Sequence, residues 1–322
     1  MIGKYRHLSR CSTEAGHFVI LAIDHRANLL DALNRAAPQP LDGAGFSAFK
    51  TRVTAVLAPE TSAVLTDPAY GVGAGIASRA ISGHTGLIGP VEVTDYEQHP
   101  SQRTVQWIPG WSVGKIKRLG GDGVKLLLPY HPEADNAGEK RDGVRKIVES
   151  CARWDIPFFL EPIAYSLDPA RSLANAELLQ ITVDMAREFA AMGADVLKLQ
   201  FPVDPAQSRD EAEWRSACAA VTEACGAVPW ALLSAGVAFE TFALQAQIAC
   251  QAGASGVIVG RAVWSEAVTL QGEARDAFIA TTARDRIRQL ASICAQNATP
   301  WYDRVAAPDV ALDWFEHYED LI

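Results

Sequence analysis

Short apolar, β-branched runs recur along this chain, separated by longer amphipathic stretches. Eight of the runs read as strands: residues 18–24, 62–67, 85–89, 123–128, 157–161, 195–200, 230–234 and 255–260. Between most of them lie helical patterns, such as 176–192, 210–225 and 239–252. Strict alternation implies a parallel sheet, because parallel neighbours need crossover helices. Eight strands in 322 residues predict an α/β protein, a single-domain (β/α)8 TIM barrel over residues 1–298, rather than an open doubly wound sheet. The run at 85–89 has the least regular pattern. Residues 71–75 and 92–106 read as loops, of the kind that shape substrate access on the C-terminal face of a barrel. The segment 299–322 carries Trp301, Tyr302, Trp314, Phe315 and Tyr318 among acidic residues, unlike a barrel helix. It reads as an extension that caps the barrel wall or, alternatively, contacts a partner subunit.

Composition narrows the functional classes. Hydrophobic residues make up 49% and charged residues 21%, which fits a globular protein with ample core. A net charge of −9 argues against nucleic acid or an anionic membrane as the main partner, while leaving room for a local basic pocket. No run approaches the length of a membrane span, and the first residues lack the apolar stretch of a signal peptide. Six cysteines (Cys11, Cys151, Cys218, Cys225, Cys250 and Cys294) show no metal-like spacing, and the expectation is a reducing, cytoplasmic compartment. A homo-oligomer is the expected default.

Candidate chemistry comes from charges inside apolar strands. Lys198 lies in the middle of the run 193–202, where burying an ammonium costs several kcal/mol unless it is paired or deprotonated. A lysine there also fits a side chain snorkelling from a strand end to water. Further charges shift the balance. Asp24 and Asp67 end the first and second strands, Lys125 lies in the fourth and Glu161 ends the fifth. In a barrel these positions point into the active site. A neutral Lys198 would attack a ketone to form an iminium, an electron sink for carbon–carbon cleavage, with Lys125 lowering its pKa by repulsion. Glu161, flanked by Phe158, Phe159 and Pro162, is the expected proton shuttle, its pKa raised toward neutrality. Asp24 would orient either lysine. For Asp24 and Asp67 a structural ion pair is an equal reading.

Ser234 and Gly236 follow the seventh strand, and Gly260 and Arg261 the eighth. Glycine-bearing loops there are the usual phosphate cradle of the fold, though the same glycines also permit tight turns. The seven histidines show no paired spacing, so no metal site is expected and no cofactor beyond the covalent lysine iminium; His25, beside Asp24, is expected to touch substrate.

These residues resemble the class I tagatose 1,6-bisphosphate aldolases and the related sulfofructosephosphate aldolases. Ile23-Asp24-His25-Arg26 is similar to the family's Asp-Gln-Arg strand-one motif. Lys125, Glu161-Pro162 and Lys198 fall on its catalytic positions. Ser234-Ala-Gly and the run 252–264 are similar to its phosphate-binding end. The resemblance implies a Schiff-base aldolase on Lys198, acting on a phosphorylated ketose that is tagatose 1,6-bisphosphate-like or 6-sulfofructose 1-phosphate-like. Its products would be dihydroxyacetone phosphate and a three-carbon aldehyde. His25 departs from the family's glutamine and Gln200 from its glutamate; with Arg26 and Asp67, both are expected to line the substrate pocket. An enediolate-type isomerase or epimerase and a non-catalytic sugar-phosphate sensor are the alternatives.

Overall fold

The computed structural model describes residues 2–94 and 98–318; the loop segment 95–97 and the last four residues of the 299–322 extension lie outside the described residues. Eight parallel strands close into a barrel in sequence order. They are β1 (Phe18–Ile23), β2 (Ala63–Thr66), β3 (Gly86–Pro90), β4 (Gly123–Tyr130), β5 (Phe158–Ala164), β6 (Val196–Leu199), β7 (Trp230–Leu233) and β8 (Gly256–Val259). The ring shuts where β1 pairs with β8, Phe18 opposite Gly256. Gly256 has φ +135°, and a Cβ there would meet the Phe18 carbonyl oxygen at 2.0 Å, so only glycine allows this closure.

Alternation along the strands places every second side chain inside. Phe18, Ile20 and Ala22 of β1, Ala63 and Leu65 of β2, Phe159, Val196, Ala231 and Ile258 form the barrel's internal core. Phe18 and Phe159 meet edge to face at 6.0 Å between ring centroids. Continuing the same period two residues further puts Asp24, Glu161 and Lys198 inward at the C-terminal mouth, while Lys125 enters from β4. The opposite strand faces pack on the surrounding helices, among them Gly43–Leu57, Ala137–Arg153, Asn175–Ala191, Glu211–Cys225 and Phe239–Gln251. All six cysteines are buried free thiols. Among the described residues no helix is long and apolar enough to cross a membrane.

The floor of the barrel is closed by two terminal segments. The helix Ile2–Cys11 contributes Leu8 and Cys11 to the internal core, and Trp301 joins them at 1% exposure. The Trp301 indole lies edge-on to Tyr5 at 4.7 Å and donates to the Ser12 hydroxyl at 2.9 Å. The extension thus begins packed under the barrel, and it continues as an exposed segment carrying Val310, Leu312, Trp314 and Phe315, the last two in a short 3-10 turn. Trp301→Ala is expected to cost about 3 kcal/mol, through lost burial and a cavity under the internal core. Urea unfolding with an unchanged m-value checks this; a cost below about 0.5 kcal/mol would mean that the floor closes without the tail.

Candidate active site

A cavity of about 680 Å3 opens at the C-terminal mouth, with Asp24, Lys125, Glu161 and Lys198 on its walls. Lys125 Nζ is the hub. It contacts Asp24 Oδ2 at 2.9 Å, Glu92 Oε1 at 2.9 Å and Glu161 Oε2 at 3.1 Å. The other oxygen of Glu161 takes Lys198 Nζ at 2.9 Å. One carboxylate therefore bridges the two lysines. With Arg26, whose guanidinium lies 3.8 Å from Glu92 Oε1, the cluster holds three cationic and three acidic side chains. Such mutual compensation is what lets charges persist at this depth.

The two lysines differ in their partners. Burial presses the Lys125 pKa down, but Asp24, Glu161 and Glu92 more than offset it and hold the ammonium well above its ordinary range. Among the described residues Lys198 has one carboxylate within salt-bridge distance, Glu161. Burial likewise works against ionised Asp24 and Glu161, yet Lys125 and Lys198 keep both below the usual carboxylate range. The expected rise of Glu161 toward neutrality is not found. Its two ammonium neighbours outweigh the apolar strand around it. Glu92 goes the other way, its pKa raised by burial.

His25 follows Asp24, its ring edge-on to Trp264 at 5.3 Å. Gly260 sits close to the β1 backbone, where a Cβ would meet the Ala22 carbonyl oxygen at 2.8 Å. Burial, with Arg261 and Lys198 nearby, brings the imidazole pKa down to about 4 despite Asp24, so His25 is neutral at physiological pH. Among the described residues its Nδ1 has no hydrogen-bond partner, Asp24 Oδ1 standing 4.0 Å away. Gln200, two residues beyond Lys198, accepts the Ala164 N–H at 3.1 Å and lines the cavity. At the β7–β8 end, Ala235 and Gly236 take φ of 44° and 79° in succession, and the Arg261 guanidinium lies against Gly236. Consecutive left-handed residues turn backbone N–H groups to one side, a geometry suited to an anion.

Several expected site residues sit elsewhere. Asp67 is fully buried away from the cavity, paired with Lys50 and accepting the N–H groups of Ala69 and Tyr70 as the cap of the following helical turn. Arg26 is turned to the Glu92 carbonyl at 2.7 Å and does not line the cavity. Ser234, Gly236 and Gly260 interleave with the lining residues Leu233, Ala235, Val237 and Arg261 without lining it themselves. Two groups were missed in the sequence. Glu92 lies in a stretch read as loop, and Lys50 in an amphipathic helix, where Phe46, Phe49 and Val53 around it signal burial. Asp67→Asn would leave Lys50, already lowered in pKa by burial, without its anion. A loss of about 3 kcal/mol in stability is expected, with KM for substrate little changed. A large KM increase at full stability would instead place Asp67 in the binding site.

A closed barrel with two lysines and three carboxylates gathered at its mouth has the build of a barrel enzyme. The DeoC/LacD family aldolase profile matches residues 18–266, and the chain belongs to this family. It is accordingly a carbon–carbon lyase. Tagatose 1,6-diphosphate aldolase 2 of Enterococcus faecalis is 31% identical over 324 residues, covering 94% of this chain and 97% of that one. A tagatose 1,6-diphosphate aldolase of Listeria monocytogenes is 32% identical over 329 residues, covering 94% of each. Among solved structures, a Schiff-base-forming fructose-1,6-bisphosphate aldolase superposes with a TM-score of 0.62 at 19% identity, over 90% of this chain and 98% of that one. A fructose-bisphosphate aldolase from Slackia heliotrinireducens gives 0.60 at 14%, over 90% and 89%. At such identities the structural likeness is one of fold.

Proposed function

We propose that the protein is a class I, metal-independent aldolase that cleaves a phosphorylated ketose through a Schiff base on Lys198. The observation that carries this is the salt bridge of Lys198 to one carboxylate among the described residues, Glu161, beside a lysine that three carboxylates keep cationic. Lys198 is the lysine that can become an amine, by passing its proton to Glu161 across 2.9 Å. The amine adds to the C2 ketone, and Glu161 returns the proton to the departing hydroxyl, which leaves as water from the carbinolamine. Glu161 then takes the C4 hydroxyl proton as the C3–C4 bond breaks, its electron pair flowing into the iminium to give an enamine and a free aldehyde. Protonation of C3 by Glu161 and hydrolysis of the iminium release dihydroxyacetone phosphate. Lys125 stays charged throughout and, with Asp24, fixes the orientation of Glu161.

The C1 phosphate is assigned to the turn at Ala235 and Gly236 with Arg261. The names of the relatives favour a tagatose 1,6-bisphosphate-like ketose, and a 6-sulfofructose 1-phosphate-like substrate shares the same C1 end. Six buried thiols suit a reducing, cytoplasmic setting. Borohydride reduction with dihydroxyacetone phosphate, under a chelator, should leave a reduced adduct on the Lys198 peptide. Ligand binding without any adduct there would defeat the Schiff-base reading.

A further inference from the structure

If the C1 phosphate sits between β7 and β8, the substrate's other end must run toward the opposite wall of the barrel, formed by β3, β4 and β5. On that wall, Glu161, Ile163 and Tyr165 follow one another on the inner face of β5 and just past its end, and all three line the cavity. Strand rise puts the Tyr165 backbone roughly 13 Å beyond Glu161 toward the cavity mouth.

Tyr165 is 8% exposed, yet among the described residues its hydroxyl has no hydrogen-bond partner. A buried phenol left unsatisfied costs free energy and is rare away from a ligand. Burial pushes its pKa up to about 12, so the group is a neutral donor. The ring is also held from three sides. His99, from the loop after β3, lies edge-on at 5.6 Å, and His131, just past β4, at 6.0 Å. The Lys140 ammonium stands over the ring face at 5.2 Å while donating to the carbonyls of Pro100 and Pro129. Lys140 thereby ties the β3 loop to the end of β4 and fixes the wall around the phenol. A donor so restrained loses little conformational entropy on binding.

Resting on the Schiff-base reading above, we infer that Tyr165 is a specificity-determining residue: its hydroxyl donates a hydrogen bond to the terminal oxyanion of the substrate's aldehyde half. A phosphate and a sulfonate offer the same tetrahedral acceptor there. A hydroxyl without that oxyanion leaves the phenol's donor less well matched.

Tyr165→Phe tests this without changing the ring. Aldol synthesis from dihydroxyacetone phosphate would be run with glyceraldehyde 3-phosphate, with sulfolactaldehyde and with unphosphorylated glyceraldehyde. The preference of the parent for whichever anionic aldehyde it accepts, over glyceraldehyde, should fall about tenfold or more, through KM. Equal losses with anionic and neutral aldehydes, or no loss at all, would overturn the assignment. Borohydride trapping with dihydroxyacetone phosphate alone runs in parallel. An adduct on Lys198 in both proteins shows that the ketone half and the fold are intact. A parent that makes product but gives no adduct would defeat the Schiff-base reading instead, leaving the aldehyde comparison to decide the role of Tyr165.

Discussion

Lys198→Ala is expected to lose aldol cleavage by on the order of 10⁵-fold, about 7 kcal/mol of transition-state stabilisation. Without the amine there is no iminium, and the C3–C4 electron pair has nowhere to go. The reason for choosing this lysine over Lys125 lies in their partners. Three carboxylates hold Lys125 as an ammonium, and an ammonium cannot attack. Among the described residues Lys198 is salt-bridged to Glu161 and to no second carboxylate. The substitution should spare the fold, since it removes one of the two cations facing Glu161 and leaves the other at 3.1 Å. The borohydride adduct must vanish with the activity, while binding of dihydroxyacetone phosphate at the Arg261 end persists. Residual cleavage above about 1% of the parent rate would point to Lys125 as nucleophile, or to an enediolate route that needs no amine.

Much of this site could be read from the chain because a barrel strand has a rigid period of two. Once 18–24, 157–161 and 195–200 are strands, the inward direction of Asp24, Glu161 and Lys198 follows from that of Phe18, Phe159 and Val196. The third strand also holds, displaced by one residue to Gly86–Pro90. β4 and β5 run longer than expected, to Tyr130 and Ala164, pairing through prolines that alternation alone does not favour. What the pattern could not show is convergence between loops and strands. Glu92 reaches Lys125 from a segment with no periodicity, and the direction of Glu161's pKa depends on that packing of charges rather than on its apolar neighbours. Asp67 follows the structural ion-pair reading that the sequence left equally open. The pair Asp67-Pro68 carries an N-cap signature, an acceptor followed by proline at the first helical position, and that local reading competes with a strand-end catalytic role. The cap and Lys50 together prevail.

Glu161→Gln is expected to lower kcat by about 10³- to 10⁴-fold, or about 4–5.5 kcal/mol, the upper part of the range for a general acid–base. The amide keeps the shape and still accepts a hydrogen bond, but it cannot carry a proton between Lys198, the C4 hydroxyl and C3. Lys125 would retain Asp24 and Glu92, so no bare cation is created and the barrel should remain folded. The two half-reactions separate the roles. Dihydroxyacetone phosphate should still be trapped on Lys198, though more slowly, whereas exchange of its C3 proton with heavy water should nearly stop. The pH behaviour follows from the sign of the shift. The folded-state pKa of Glu161 lies below its ordinary value, so its contribution to stability is full above the usual glutamate range and fades as pH falls through the lowered value. In kcat/KM, which reports the free enzyme, Glu161 should accordingly impose no acid limb above that range. Wild-type rates of C3 exchange in Glu161→Gln would assign the shuttle to another group, with Asp24, 2.9 Å from the same Lys125 ammonium, as the next to substitute.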